Sequence, residues 1–184
     1  NTGHNNVGEN NIYIGEEAGK TNYGNNDIFI GANAGESSEG HNNMFFGKDA
    51  GKQNYASDAI CIGIDSGLRL RKYYGATKDY DPENINAEGN EDFDGNIVYI
   101  GKQSGKYSKG SNIIGIGTNT GHNNVGENNI YIGEEAGKTN YGNNDIFIGS
   151  SAGRNNEGSD NIYTGKESGI NYIGSKNVFI GFET

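Results

Sequence analysis

The chain has 184 residues, a net charge of −10, 32 glycines, one proline and no tryptophan. The acidic balance excludes a phosphate-gripping nucleic-acid surface, which needs clustered Lys and Arg. A single cysteine, Cys61, excludes an intrachain disulfide and a cysteine-rich metal site. Glycine without proline, and without a three-residue period, excludes collagen. No apolar run approaches a membrane span, no signal peptide is visible, and no membrane insertion is expected of these residues.

Mean hydropathy is −0.80, which in an aperiodic chain would mean disorder. This chain is periodic. Asn10-Asn11-Ile12-Tyr13-Ile14-Gly15 returns with small changes at glycines 31, 47, 63, 101, 117, 133, 149, 165 and 181. The interval is 16 residues except between Gly63 and Gly101, where it is 38. A fixed short period marks a repeat architecture, in which each coil packs only on its neighbours. The expected fold is all-β: a parallel β-roll or β-solenoid with 16-residue coils, interrupted by one loop insertion. Coils are assigned to 1–67 and 96–184, and the insertion to 68–95.

One coil reads G-x-x-(A/S/T)-G-x-x-x-x-G-x-N-x-φ-x-φ, with φ apolar. Glycines recurring in register predict repeated corners. Ile12 and Ile14 flank Tyr13, and the same alternation recurs at Ile28/Ile30, Ile146/Ile148 and Val178/Ile180, which predicts a short strand in each coil. Asn10, Asn26, Asn42, Asn112, Asn128 and Asn144 share one column. Stacked amides there are expected to bond each other and the turn backbone. The small residues Ala18, Ala34, Ala50 and Ser66 suit a narrow interior corner.

Between the flanking aliphatics lies an aromatic column: Tyr13, Phe29, Phe45, Tyr99, Tyr131, Phe147, Tyr163 and Phe179, with Cys61 and Gly115 at the remaining positions. By alternation these rings point away from the coil's own interior. They would then stack as a surface ladder or meet a neighbouring chain. The thin core of a 16-residue coil favours the second, an assembly interface.

The insertion carries Arg69, Arg71, Lys72, Tyr73 and Tyr74, followed by a run of acids. These five are candidate contacts with another chain or a receptor, since coil insertions map to one face. Asp92-Phe93-Asp94-Gly95-Asn96 resembles a fragment of a calcium loop, but the other ligands lack the spacing. No His has a second zinc ligand, and no Ser or Cys sits in a nucleophile motif. No catalytic residue, metal or cofactor is assigned. Residues Asn1–Gly31 recur unchanged as Asn119–Gly149, 118 residues on. Identity this strict exceeds what packing requires. It predicts a window of a longer protein built from 118-residue cassettes.

The stretches Asn-Asn-Ile-Tyr-Ile-Gly-Glu-Glu-Ala-Gly (10–19) and Asn-Asp-Ile-Phe-Ile-Gly-Ala-Asn-Ala-Gly (26–35) resemble the head repeats of YadA-like trimeric autotransporter adhesins. They also resemble the NN(T/I)(F/Y)IGxxAG repeats of bacterial surface proteins and phage tail fibres. The resemblance implies a left-handed parallel β-roll, commonly trimeric, at the cell surface or outside the cell. The longer period and the aromatic column depart from the adhesin pattern. The function expected is a structural or adhesive segment of an extracellular fibre that associates with itself. The alternative is a phage or viral tail-fibre segment that binds a host receptor or glycan. An ice- or carbohydrate-binding solenoid is a third reading, disfavoured by the irregular, Asn-rich polar columns.

Overall fold

The computed structural model describes residues 2–70 and 93–184. Ten strands run in parallel in one sheet, ordered as in the sequence. They are β1 (Ile12–Ile14), β2 (Ile28–Ile30), β3 (Met44–Phe46), β4 (Ala56–Ile62), β5 (Phe93–Ile100), β6 (Ile113–Ile116), β7 (Ile130–Ile132), β8 (Ile146–Ile148), β9 (Ile162–Thr164) and β10 (Val178–Ile180). No helix occurs among the described residues. The chain is the expected β-solenoid with 16-residue coils.

Register is fixed by the repeat itself. Tyr13 pairs with Phe29, Phe29 with Phe45 and Phe147 with Tyr163. Cys61 pairs with Tyr99, so the stack stays in register across the insertion. The insertion is narrower than the sequence suggested. The Arg69 amide donates to the Lys52 carbonyl at 2.9 Å, and Leu70 is fully buried. β5 resumes at Phe93. Both flanks are therefore stacked coil, and residues 71–92 lie outside the described part.

Each strand ends at an anchor glycine. Gly31 has φ +138°, and a Cβ there would meet the Gly47 carbonyl oxygen at 2.4 Å, so no side chain fits the corner. Beyond the corner, left-handed residues recur at every second position: Glu17 (φ 54°), Gly19 (φ 63°) and Thr21 (φ 57°). A β-branched residue there costs on the order of 1 kcal/mol or more. Hydrogen bonds between coils offset it. Thr21 donates to the His4 carbonyl at 2.8 Å, and Gly19 donates to Ala34 at 2.9 Å. The coil wall opposite the sheet is thus hydrogen-bonded along the stack as the sheet is.

The interior is one aromatic ring wide. Phe29, Phe45, Tyr99, Tyr131, Phe147 and Tyr163 have no exposed surface, and Tyr13 and Phe179 near the two ends are partly buried. Phe29 and Phe45 stack at 4.8 Å and 6°, Phe147 and Tyr163 at 4.8 Å and 5°. That distance is the spacing of parallel strands, about 4.8 Å. This corrects the outward placement expected for the aromatic column. The physical reason lies in the opposite wall. A Cβ on Gly35 would sit 2.2 Å from the Phe29 ring, so the ring lies directly on glycine backbone. A flat ring fits between sheet and wall within one coil's thickness. The flanking aliphatics are consequently on the outside.

Polar residues fill the end of the interior that the ring hydroxyls reach, except where Leu70, Ile97 and Ile113 stand in the middle coils. The Tyr131 hydroxyl donates to Asn124 Oδ1 and accepts from Asn140 Nδ2, both at 2.7 Å. Tyr13 does the same with Asn6 (2.8 Å) and Asn22 (2.7 Å). Burial pushes the Tyr13 phenol up to about 12, against the hydrogen bond from Asn22. Asn22, Asn54, Asn124, Asn140 and Asn156 form one buried column, which meets the requirement that buried polar groups find partners.

Candidate interaction surface

The outer face of the sheet carries two aliphatic columns. One runs through Ile12, Met44, Ile114, Ile130, Ile146 and Ile162; the other through Ile14, Ile62, Ile100, Ile116, Ile132 and Ile148. Within the stack, Ile62, Ile116, Ile132 and Ile148 keep 38–40% of their surface exposed. No charged side chain interrupts either column. Ten coils at about 4.8 Å and two columns about 7 Å apart give a strip of roughly 45 by 12 Å. Its area, about 500 Å², stands at the upper end of the patches seen on monomers.

A polar ladder borders this strip. Asn10 donates through its amide to Asn26 (3.4 Å), Asn26 to Asn42 (3.3 Å) and Asn42 to Asp58 (3.1 Å). A second run passes from Asn96 through Asn112, Asn128 and Asn144 to Asp160 at 3.2, 2.9, 3.1 and 3.0 Å. Every amide donates toward the next coil. Asp58 and Asp160 only accept when ionised, so they fix the direction of each run. Asn96, counted at sequence level within a calcium-loop fragment, starts the second run, and Asp92 lies outside the described residues.

The aromatic column has no part in this surface, because its rings are interior. Arg69 lies on the coil: its Nε donates to Gln53 Oε1 at 2.7 Å and its guanidinium lies 5.6 Å from the centre of the Tyr107 ring. Arg71, Lys72, Tyr73 and Tyr74 fall outside the described residues. Alternation read with these aliphatics as the core gives no sign of the outer face. The signal that identifies it is the aromatic–glycine pairing, six residues apart in Tyr13/Gly19, Phe29/Gly35 and Phe45/Gly51.

Among the described residues, no three His, Cys, Asp or Glu side chains group to hold a metal. His41 Nδ1 accepts the Asn25 amide at 2.9 Å and acts as a corner brace. Burial, with Lys138 and Lys106 nearby, pushes His122 down to about 4. Burial raises the Cys61 thiol far above its ordinary range. No helix among the described residues is long and apolar enough to cross a membrane. No family model, no curated protein and no solved structure matches the chain.

Proposed function

We propose that this chain is a rigid segment of an extracellular or cell-surface fibre, and that it associates with further copies of itself through the outer face of its sheet. The observation that supports this is the pair of largely aliphatic, exposed to half-exposed columns, which no charged side chain interrupts. The partner that matches the strip along its whole length is another stack with the same coil spacing. Its ridges and grooves then interdigitate at every coil, as self-complementary interfaces require. Two such faces in contact bury about 1,000 Å² in total, close to the lower end of specific interfaces. The Asn ladder lies at the rim, where polar groups stay hydrated.

The test is sedimentation or light scattering across a dilution series, with Ile116→Lys/Ile132→Lys beside the parent chain. The parent should form a defined oligomer. The variant should be monomeric with an unchanged far-UV spectrum, because both residues lie on the outside of the coil. A parent that stays monomeric at high concentration, or a variant that assembles normally, overturns the reading.

A further inference from the structure

The column that enters each strand holds asparagine at Asn11, Asn43, Asn129, Asn161 and Asn177, apolar Ala59, Ile97 and Ile113 in the middle of the stack, and aspartate at Asp27 and Asp145. Asn11 and Asn129, each one coil before an aspartate, bond in the same way, whereas the Nδ2 atoms of Asn43 and Asn161, one coil after, are buried with no hydrogen-bond partner among the described residues. Asn11 Oδ1 accepts the Asp27 amide at 2.7 Å, and Asn11 Nδ2 donates to the Gly24 carbonyl at 2.8 Å. Asn129 repeats both bonds, with the Asp145 amide at 2.8 Å and Gly142 at 3.0 Å. The aspartates keep the first bond. Asp27 Oδ1 accepts from the Asn43 amide at 2.8 Å, and Asp145 Oδ1 from Asn161 at 2.9 Å.

Their second oxygen takes the place of the amide nitrogen. A Cβ on Gly8 would meet Asn11 Nδ2 at 2.9 Å, and a Cβ on Gly24 would meet Asp27 Oδ2 at 2.4 Å. The pairs Gly126/Asn129 (2.9 Å) and Gly142/Asp145 (2.4 Å) repeat this. By coil register, the carbonyls that the amide would serve are those of Gly40 and Gly158. An ionised carboxylate there faces a carbonyl without a proton to give.

We propose that Asp27 and Asp145 are carried in the fold as neutral acids, each giving its proton to the glycine carbonyl of the next coil, so that the stack tightens in mildly acidic solution and loosens when they ionise.

Both side chains are fully buried, and among the described residues neither forms an ion pair. The groups facing Asp27 are His41, on the next coil, and the Tyr13 hydroxyl, which reaches it through Asn22. Those facing Asp145 are Asp160 and the hydroxyls of Tyr131 and Tyr163. Amide donors favour the ionised form: Asn22 (3.0 Å) reaches Asp27 Oδ2, and Asn140 (3.2 Å) and Asn156 (3.4 Å) reach Asp145 Oδ2. Burial outweighs them and pushes Asp27 up to about 6 and Asp145 up to about 7.

The sign follows from linkage. A folded-state value above the ordinary 3.8 means stability is fully present below that pH. It is lost as pH rises through about 6 and about 7. His122 works in the opposite direction. Its value is depressed from 6.5 to about 4, so its contribution is present above 6.5 and lost toward acid. The difference between the parent chain and an Asp27→Asn/Asp145→Asn variant removes the His122 contribution.

The experiment is urea unfolding of both proteins at about pH 5 and about pH 8, with a ¹³C carboxyl NMR titration of the parent. The unfolding constant of the parent, divided by that of the variant, should rise on the order of a hundred- to a thousandfold across that window, since each pK unit is a factor of ten. Two aspartate carboxyls should titrate well above the ordinary range. A pH-independent ratio, or carboxyls that all titrate near 4, overturns the proposal. If the variant does not fold, the NMR titration decides alone.

Discussion

Truncating neighbouring residues of β8 tests which face of the strand is interior. Phe147 has no exposed surface and stacks between Tyr131, at 5.6 Å and 25°, and Tyr163, at 4.8 Å and 5°. Phe147→Ala removes a ring from a slab with no other occupant. The loss expected from the cavity is about 3–5 kcal/mol, with about 1 kcal/mol more from lost stacking. Ile148, the next residue, is 38% exposed on the outer face. Ile148→Ala removes methyl groups that are partly in water already, and costs about 1 kcal/mol. Urea unfolding followed by far-UV circular dichroism, at a dilution where the chain is monomeric, reads both. Hydrogen exchange should show the Phe147→Ala damage concentrated in the coils of β7–β9, because a solenoid couples only neighbours. Equal losses, or a larger loss for Ile148→Ala, would refute the interior placement of the ring.

The wall opposite the rings is equally specific. Gly35 has φ +62° and its Cβ would lie 2.2 Å from the Phe29 ring, so Gly35→Ala should cost about 2 kcal/mol or more and lower the melting temperature by several degrees. An unchanged melting curve would mean the ring does not rest on that backbone. Cys61 is fully buried and its thiol is held protonated, so a thiol reagent should label it only after denaturation. Rapid labelling of the folded chain would contradict its place in the interior.

Much of the architecture was legible because the repeat states it directly. The interval between anchor glycines gave the coil length, and equal spacing gave the parallel register of Tyr13, Phe29 and Phe45. The Asn10 column was expected to form an amide ladder, and it does. The phase of the strand was not legible from alternation alone. Alternation separates two faces but does not say which is inside when both are apolar. Tyr13 between Ile12 and Ile14 satisfies either choice. What decides is the partner across the coil. A ring six residues before a left-handed glycine has backbone to lie on, and a tyrosine nine residues before an asparagine has a hydroxyl partner, as Tyr13 has Asn22 and Tyr131 has Asn140. Tolerance points the same way: the outer columns accept Met44, Phe46 and Thr164, which differ widely in shape. The inner column is a flat ring except at Cys61 and Gly115. At Gly115 the missing side chain leaves room for Tyr99, whose ring would lie 2.5 Å from an added Cβ.

The cross-section of the coil connects this interior to the outer face. Inside one turn there is space for one ring, one small residue such as Ala34 and a polar pair such as Asn22 and Asp27. In most coils nothing remains for a second large apolar side chain; the exceptions are the coils of β4–β6, where Leu70, Ile97 and Ile113 take polar positions. A strand that alternates must still place something at its outward positions, and this chain places isoleucine, valine or methionine at nearly all of them. Stability of the single stack does not require that choice, because charged or small polar residues would serve the exposed side of a sheet as well. Uncovered, the aliphatic columns are a liability for aggregation through the sheet face. They become useful when a second stack covers them, since apolar surface that the narrow coil cannot enclose is then buried between coils of equal spacing. The same ring that fills the interior thus leaves the aliphatic residues outside, where another copy of the chain can bury them.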